Sequence, residues 1–160
     1  MVRVKVLCVG KMKEAFYKDA CAEYEKRLRA FCVPEVIELP EEKLPEAPSR
    51  AQIDAGLERE ADALLGRLPP RSAVVVLTPE GEKCSSAGFA ELLSRGETAG
   101  GGTLCFVIGS SFGLSPRIKQ LAWKRLSMSD MTFPHHLARV MLLEQLYRGF
   151  SIRAGGKYDK

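Results

Sequence analysis

The chain has 160 residues, of which 46% are hydrophobic and 28% are charged, and its formal net charge is +4. A chain of this length supports one hydrophobic core of useful size, so we expect a single domain over residues 1–160. No apolar run approaches the ~18 residues of a membrane-spanning helix, so we expect no membrane partner. The five cysteines show no C-x-x-C spacing. We therefore expect reduced thiols in a cytoplasmic protein, without disulfides or a zinc site.

The charge is unevenly distributed along the chain. Residues 35–65 carry nine acidic and three basic side chains, whereas residues 117–160 carry nine basic and three acidic ones. A basic C-terminal part would suit a polyanion such as nucleic acid. Solvated helix faces that segregate by chance would explain the pattern equally well. The charge therefore permits nucleic acid binding without establishing it.

The hydrophobic pattern predicts strands and helices that alternate along the chain. Strands are predicted at 2–9, 35–39, 73–77, 103–108 and 125–128, and helices at 14–29, 50–68, 86–95, 115–123 and 134–150. This alternation is typical of an α/β protein with a mainly parallel sheet. The last helix is apolar on nearly every side. It needs packing partners in two directions, so we expect it to contribute to a homodimer interface as well as to the core.

Three loops follow the predicted buried strands, at 78–85, 109–114 and 129–133. Ligands of open α/β sheets bind outside the carboxyl ends of the strands, so these loops predict the position of the pocket. The second loop has neither G-x-G-x-x-G nor P-loop spacing, which argues against dinucleotide and ATP binding. Its glycines could equally serve only to make the turn. The third loop predicts a backbone-lined slot for a base and ribose, or only a helix start capped by Thr132.

Charged residues of the last helix suggest separate roles. Glu144 and Arg148 are spaced for an i,i+4 ion pair. Arg139 has no acidic partner at helical spacing, so we expect it to be free to meet an RNA phosphate or a developing charge. His135 and His136 are the only histidines. On a helix they point about 100° apart, and we therefore expect no metal site.

The sequence resembles one known family over almost its whole length. The similar segments are VLCVGKMKE, EYEKRL, LTPEGEKCSSAGFAELL, FVIGSSFGLS, LSMSDMTFPHHLARVMLLEQLYRGFSI and the tail KYDK. They are similar to the ribosomal RNA large subunit methyltransferase H family, whose members are small knotted SPOUT methyltransferases. The resemblance implies a C-terminal deep trefoil knot, an exception to the usual unthreaded chain, and a homodimer.

The resemblance also implies an activity. The methyl donor would be S-adenosylmethionine, and the acceptor N3 of pseudouridine 1915 in the helix 69 loop of 23S rRNA, in the large subunit or the assembled ribosome. The family's donor contacts fall on Leu77, Gly109, Met128, Ser129, Asp130, Met131, Thr132 and Phe133. Arg139 or Lys160 would stabilise the anion formed at N3, and Tyr158 would stack on the target base.

Two positions depart from the family's pattern. Ser110 stands where a second glycine is common, which puts the backbone freedom of that loop in question. Asp159 stands where the tail commonly has histidine, so a catalytically impaired SPOUT-fold RNA-binding protein is the alternative function. A small enzyme that uses one of the five cysteines is a further alternative.

Overall fold

A five-stranded parallel sheet organises the protein in the computed structural model, which describes residues 1–160. The elements are β1 (Arg3–Val9), α1 (Ala15–Leu28), β2 (Val33–Leu39), α2 (Arg50–Leu65), β3 (Ala73–Glu82), α3 (Ser86–Ala99), β4 (Thr103–Ile108), α4 (Pro116–Leu121), β5 (Lys124–Leu126) and α5 (His135–Arg153). The strand order is β2-β1-β4-β3-β5, and every pairing is parallel. The predicted α/β class, its parallel sheet and all ten elements are confirmed.

Two helix boundaries differ from the prediction, the end of α3 and the start of α5. The prediction ended α3 at residue 95, yet the helix continues through Gly96 to Ala99. A Cβ at Gly96 would lie 2.4 Å from the Leu104 side chain, so this glycine allows close packing against β4. The predicted cap of α5 by Thr132 is wrong. Pro134 occupies the N-cap position, and no side chain caps the helix.

Two apolar clusters cover the two faces of the sheet. The larger contains buried residues of α1, α3 and α5 against one face. The smaller contains residues of α2 and α4 against the other. Val6 and Phe106 belong to the first cluster, whereas Leu7 and Val107 belong to the second. Because neighbouring strand residues point to opposite faces, β4 is buried on both sides, as its continuous apolar run predicts. In β1 the last four residues are buried, whereas Arg3 is exposed and Lys5 is partly exposed.

Helix α5 lies between α1 and α3, and this packing explains much of its wide apolar surface. Gly149 brings it close to α3, where an added Cβ would lie 2.7 Å from the Leu93 side chain. Leu137, Val140 and Met141 remain only partly buried. No helix of the chain combines the length and hydropathy that a membrane span requires.

The two oppositely charged blocks of the sequence partly neutralise each other. Arg117 of α4 pairs with Glu58 and Asp62 of α2, at 3.1 and 2.7 Å. These contacts join the two helices that cover the same face of the sheet. Part of the basic C-terminal charge is therefore held by protein carboxylates and is not available to a polyanion.

Candidate active site

The three predicted loops meet around one cavity of about 490 Å³ at the carboxyl edge of the sheet. Two of them follow β4 and β5, at the strand ends where ligands of parallel sheets bind. The loop predicted at 78–85 is wrong over most of its length, because β3 continues to Glu82 and pairs there with Leu126 of β5. All eight predicted donor-contact residues line this cavity: Leu77, Gly109, Met128, Ser129, Asp130, Met131, Thr132 and Phe133. We call it the donor cavity. The structure thus brings together residues that lie up to 56 positions apart, from 77 to 133, in the sequence.

The loop after β4 is a tight turn in which two glycines are required. The Gly113 N–H donates to the Ser110 carbonyl at 2.9 Å, and Gly113 has φ +89°. A Cβ at Gly109 would lie 2.2 Å from the Gly113 carbonyl oxygen, closer than any side chain allows. The turn-making interpretation of these glycines is therefore correct, and the turn also forms a wall of the cavity. Ser110 does not have a positive φ, so serine is compatible with its backbone conformation.

The segment after β5 is shaped by hydrogen bonds to its own backbone and to β3. The Ser127 N–H donates to the Glu82 carbonyl at 2.9 Å. The Ser127 hydroxyl donates to the Ser129 carbonyl, and the Ser129 hydroxyl accepts from the Met131 N–H, both at 3.0 Å. Met131 itself is 75% exposed. These bonds fix the shape of the segment that lines the cavity.

Two ion pairs lie at the rim of the donor cavity. Lys83 bonds to Asp130, and Lys119 lies 2.5 Å from Glu80. The hydrogen bond from Lys119 is the largest of the contributions that lower the pKa of the Glu80 carboxyl to about 2. Both carboxylates are partly exposed, so these pairs stabilise the fold weakly. Their effect is to link the end of β3 to α4, through Glu80, and Lys83 to the segment after β5.

The interpretation of Arg139 as a free cation is wrong. Its side chain is 5% exposed and lies 2.7 Å from Glu38 of β2. A second guanidinium nitrogen donates to the Gly10 carbonyl at 3.2 Å. Arg139 does not line the donor cavity. Helical spacing could not reveal this partner, because Glu38 lies 101 positions away in the sequence.

We expect Arg139→Met to lower the free energy of unfolding by about 2–3 kcal/mol, because it leaves Glu38 without its cation. Burial alone would raise the pKa of the Glu38 carboxyl, but hydrogen bonds from Arg139 and the Met12 N–H hold it below its usual 4.5. The stabilisation is therefore present above pH 4.5 and lost as the pH falls through the folded-state pKa. Urea unfolding of both proteins at pH 7 and pH 3.5 measures this. An equal difference at the two values would contradict the assignment.

The C-terminal tail folds back onto α5 of its own chain. The Tyr158 hydroxyl donates to Glu144 at 2.8 Å, and Arg148 donates to Glu144 at 2.7 Å, which confirms the predicted i,i+4 pair. Arg148 also lies 3.0 Å from Asp159. Burial and the bond to Glu144 raise the pKa of Tyr158 to about 12. The phenol therefore remains protonated at neutral pH.

Tyr158 and Lys160 do not line the donor cavity of their own chain. The Tyr158 ring packs edge-on against Tyr147, with centroids 4.8 Å apart, and the Arg148 guanidinium lies 4.7 Å above it. Lys160 is exposed and makes no ion pair. The three residues predicted to act on the base are therefore not assembled at the donor cavity of one chain.

A second cavity of about 390 Å³ adjoins the first, and we call it the acceptor groove. The two share Leu126, Ser127 and Met128. Its other lining residues are Tyr24, Cys84, Ser85, Ser86, Phe89, Val140, Met141, Leu142, Glu144 and Gln145. Sequence patterns did not identify this groove, because its walls come from α1, α3 and α5, whose helical periodicity shows only which face is apolar.

The acceptor groove combines apolar walls with a few polar groups. The Ser86 hydroxyl donates to the Gln145 side-chain oxygen at 2.8 Å. The Gln145 side-chain amide in turn donates to Glu144 at 2.9 Å. Apolar surface with a small number of placed polar groups is typical of sites that bind a planar small molecule or a base.

The cysteines offer no activated thiol. Cys8, Cys21, Cys32 and Cys105 are buried, and burial raises the pKa of these thiols to about 12, 11, 12 and 12. Cys84 is exposed at the acceptor groove, where partial burial and the Glu82 charge also raise its pKa. Thiolate is the nucleophilic form, so these environments argue against thiol catalysis.

We expect Cys84→Ser to retain methyl transfer within about threefold of the wild type, because serine preserves the size of the side chain and no step needs the thiolate. Steady-state methyl transfer by the two proteins tests this. A loss of about 100-fold or more would restore the thiol-based enzyme as an interpretation.

Comparison with known proteins identifies the class of protein. A family model described as "Predicted SPOUT methyltransferase" matches residues 2–159. The parallel α/β sheet and the three-loop cavity at its carboxyl edge thus define a protein of the SPOUT class, whose members use S-adenosylmethionine as methyl donor.

Curated relatives narrow the assignment. The ribosomal RNA large subunit methyltransferase H of Streptococcus equi subsp. equi (strain 4047) is 42% identical over 159 residues, covering 99% of this chain and 100% of that protein. That of Streptococcus uberis (strain ATCC BAA-854 / 0140J) is 40% identical over the same shares. The chain belongs to the ribosomal RNA large subunit methyltransferase H family.

Solved structures support the fold alone. A probable methyltransferase from Bordetella pertussis Tohama I superposes with a TM-score of 0.58 at 17% identity, covering 93% of this chain and 95% of that one. A probable methylase family protein from Haemophilus influenzae Rd KW20 gives a TM-score of 0.55 at 10% identity, covering 98% and 70%.

Proposed function

We propose that this protein transfers a methyl group from S-adenosylmethionine to N3 of a pseudouridine in the helix 69 loop of 23S rRNA, in the cytoplasm. The observation that carries the proposal is the adjacency of the two cavities, which meet at Leu126, Ser127 and Met128. A donor bound in the first cavity can place its methyl group at the boundary. A base in the acceptor groove then lies within reach of it. The names of the relatives point to ribosomal RNA as the source of that base.

Methyl transfer requires mainly that the donor and N3 of the base are held in line. The sulfonium–methyl bond breaks as the bond to N3 forms, and the electron pair of the broken bond returns to sulfur. The N3 proton must leave to solvent or to a side chain before or during attack. The backbone slot at 128–133 would hold the donor, and the apolar groove would exclude water from the line of attack. No metal is needed for this step.

The structure changes one of the three proposed catalytic residues and leaves the two in the tail as proposals. Arg139 is withdrawn as the cation at N3, because Glu38 and Gly10 already occupy its guanidinium. Lys160 remains the proposed cation, since it is exposed and unpaired. Tyr158 remains the proposed stacking residue. To stack on a base it must leave Tyr147 and Arg148, or act on the acceptor groove of a second subunit.

A homodimer would supply that second subunit. Leu137, Val140 and Met141 of α5 are only partly buried, and two of them also line the acceptor groove. A partner packed on this face would cover apolar surface and could bring its own tail to the groove. Sedimentation velocity tests the dimer, and a monomer at micromolar concentration would exclude a composite site.

The trefoil knot belongs to the same proposal. Helix α4 covers one face of the sheet and α5 covers the other, so the chain crosses the sheet edge between them. Within β5 it passes against residues 81–82 at the end of β3. There a Cβ at Gly81 would lie 2.7 Å from backbone atoms of Leu126. Leu126 is paired with both Leu77 and Glu82, so the intervening part of β3 bends around β5. This bend supports threading of the C-terminal segment past residues 78–82. We also propose that residues 1–160 form one domain, because β1 and β4 pair along their length.

The deciding experiment is methyl transfer to assembled ribosomes, free large subunits and bare RNA, followed by mass mapping of the modified base. We expect one added methyl group at N3 of a pseudouridine. Modification of another base, or of none of the three substrates, would contradict the proposal.

The Asp159–Arg148 ion pair keeps one alternative open, a catalytically impaired RNA-binding protein of the same fold. It holds the tail at the position where the family commonly has histidine. Calorimetric titration with S-adenosylmethionine separates the two functions. Binding of the donor supports the enzyme, whereas RNA binding without donor binding supports the alternative.

A further inference from the structure

Behind the donor cavity, a buried carboxylate contacts the loop that forms its wall. Glu60 of α2 is 6% exposed. One of its oxygens, Oε2, accepts the Glu42 N–H at 2.9 Å, while Oε1 is buried without a formed hydrogen bond. Burial raises the pKa of this carboxyl, and the bond from the Glu42 N–H and the nearby Ser110 hydroxyl only partly offset that rise.

A second carboxylate holds the next residue of the same loop. The Ser111 hydroxyl and N–H both reach Glu41 Oε1, at 3.1 and 3.4 Å. Because Glu60 accepts a hydrogen bond from the Glu42 N–H, the two carboxylates are linked through the backbone of residues 41–42. Residues 41–42 lie between α2 and the donor-cavity loop, and are tied to both.

Burying a carboxylate is costly, and an unpaired oxygen adds to the cost. An apolar residue could fill the same space without that cost, so packing alone does not account for Glu60. Ser110 belongs to the loop that lines the donor cavity. It is also buried, at 6% exposure, and lies near the carboxylate. The buried carboxylate therefore lies beside a loop whose shape determines one wall of the donor cavity.

We propose that Glu60 is a positioning residue for the donor site, which holds the 109–113 loop in its binding conformation through Ser110 and, by way of the 41–42 backbone, through Ser111. This inference rests on the proposed function. Glu60 does not touch the donor, since it does not line the cavity. It acts through the loop, by way of the 41–42 backbone and the nearby Ser110 hydroxyl.

The test compares Glu60→Leu with Glu60→Gln. Leucine removes the bond from the Glu42 N–H and the carboxylate beside Ser110, and we expect it to weaken S-adenosylmethionine binding about tenfold in calorimetry, as the loss of one hydrogen bond would. Glutamine can accept from the Glu42 N–H and donate to Ser110, so we expect it to restore affinity to within about threefold. At saturating donor, we expect kcat to change by less than about twofold, with the effect confined to the donor KM.

Ser110→Ala keeps the inference testable if Glu60→Leu does not fold. We expect it to weaken donor binding about threefold in the wild-type background and to have no further effect in Glu60→Leu. Asp54→Asn, on an exposed position of α2, is the matched control and should leave donor affinity unchanged.

Two outcomes would overturn the inference. Glu60→Leu could lower the melting temperature with unchanged donor affinity, which would make Glu60 a structural residue only. The effects of Glu60→Leu and Ser110→Ala could also be fully additive, which would separate the two residues. Failure of the proposed function looks different, because the wild-type protein itself would then not bind S-adenosylmethionine.

Discussion

Gly109→Ala is expected to reduce S-adenosylmethionine binding by at least about 100-fold, to below detection in a calorimetric titration. The added Cβ would lie 2.2 Å from the Gly113 carbonyl oxygen and 2.9 Å from the Leu114 side chain. The nearest of these atoms is backbone, so the turn itself must move. That movement displaces a wall of the donor cavity, and small displacements of a binding site have large costs.

The matched control for this variant is Gly66→Ala at the end of α2. There the added Cβ would meet its nearest atom, the Ala63 carbonyl oxygen, at 3.5 Å, an ordinary contact. We expect unchanged donor binding and an unchanged melting temperature. Circular dichroism shows whether Gly109→Ala remains folded. A folded Gly109→Ala that binds the donor with wild-type affinity would contradict the placement of the donor in this cavity.

The fold was largely predictable because its signals are local. The β-branched run at 73–77 and the apolar run at 103–108 give two fully buried parallel strands, whose flanking helices must then cover both faces. The end of α3 was not predictable in this way. Gly96 allows the helix to pack closely against Leu104 and Trp123. A single sequence does not distinguish such a glycine from one that ends a helix.

The site was predictable only in part. Parallel strands end at one edge, so the three loops had to meet there, and resemblance to the family supplied the individual residues. Arg139 shows where this reasoning fails. Its partner Glu38 lies 101 positions away, and only the pairing of β2 beside β1 and the packing of α5 bring them together. The acceptor groove was missed for the same reason, because residues of α1, α3 and α5 meet in it.

Deleting Lys157–Lys160 is expected to leave donor affinity within about twofold and to reduce methyl transfer to RNA by at least about 100-fold. None of the four residues lines the donor cavity, so donor binding should not depend on them. The deletion removes the proposed stacking ring of Tyr158 and two lysines that can contact phosphates. It also leaves Glu144, at the acceptor groove, with one hydrogen-bond donor fewer. Calorimetry and transfer of a labelled methyl group to ribosomes measure the two quantities separately.

Two point variants show which part of the tail matters. Tyr158→Phe keeps the ring but loses the bond to Glu144, so we expect methyl transfer within about fivefold of the wild type if stacking is its main role. Asp159→Asn weakens the tie to Arg148. It should raise affinity for RNA, because it removes a negative charge and leaves Arg148 freer to meet a phosphate.

Loss of donor binding in the deletion variant would mean that the tail belongs to the donor site. Undiminished RNA methylation would mean that the tail does not face RNA. The aspartate at 159, where the resemblance led us to expect histidine, would then not reduce activity.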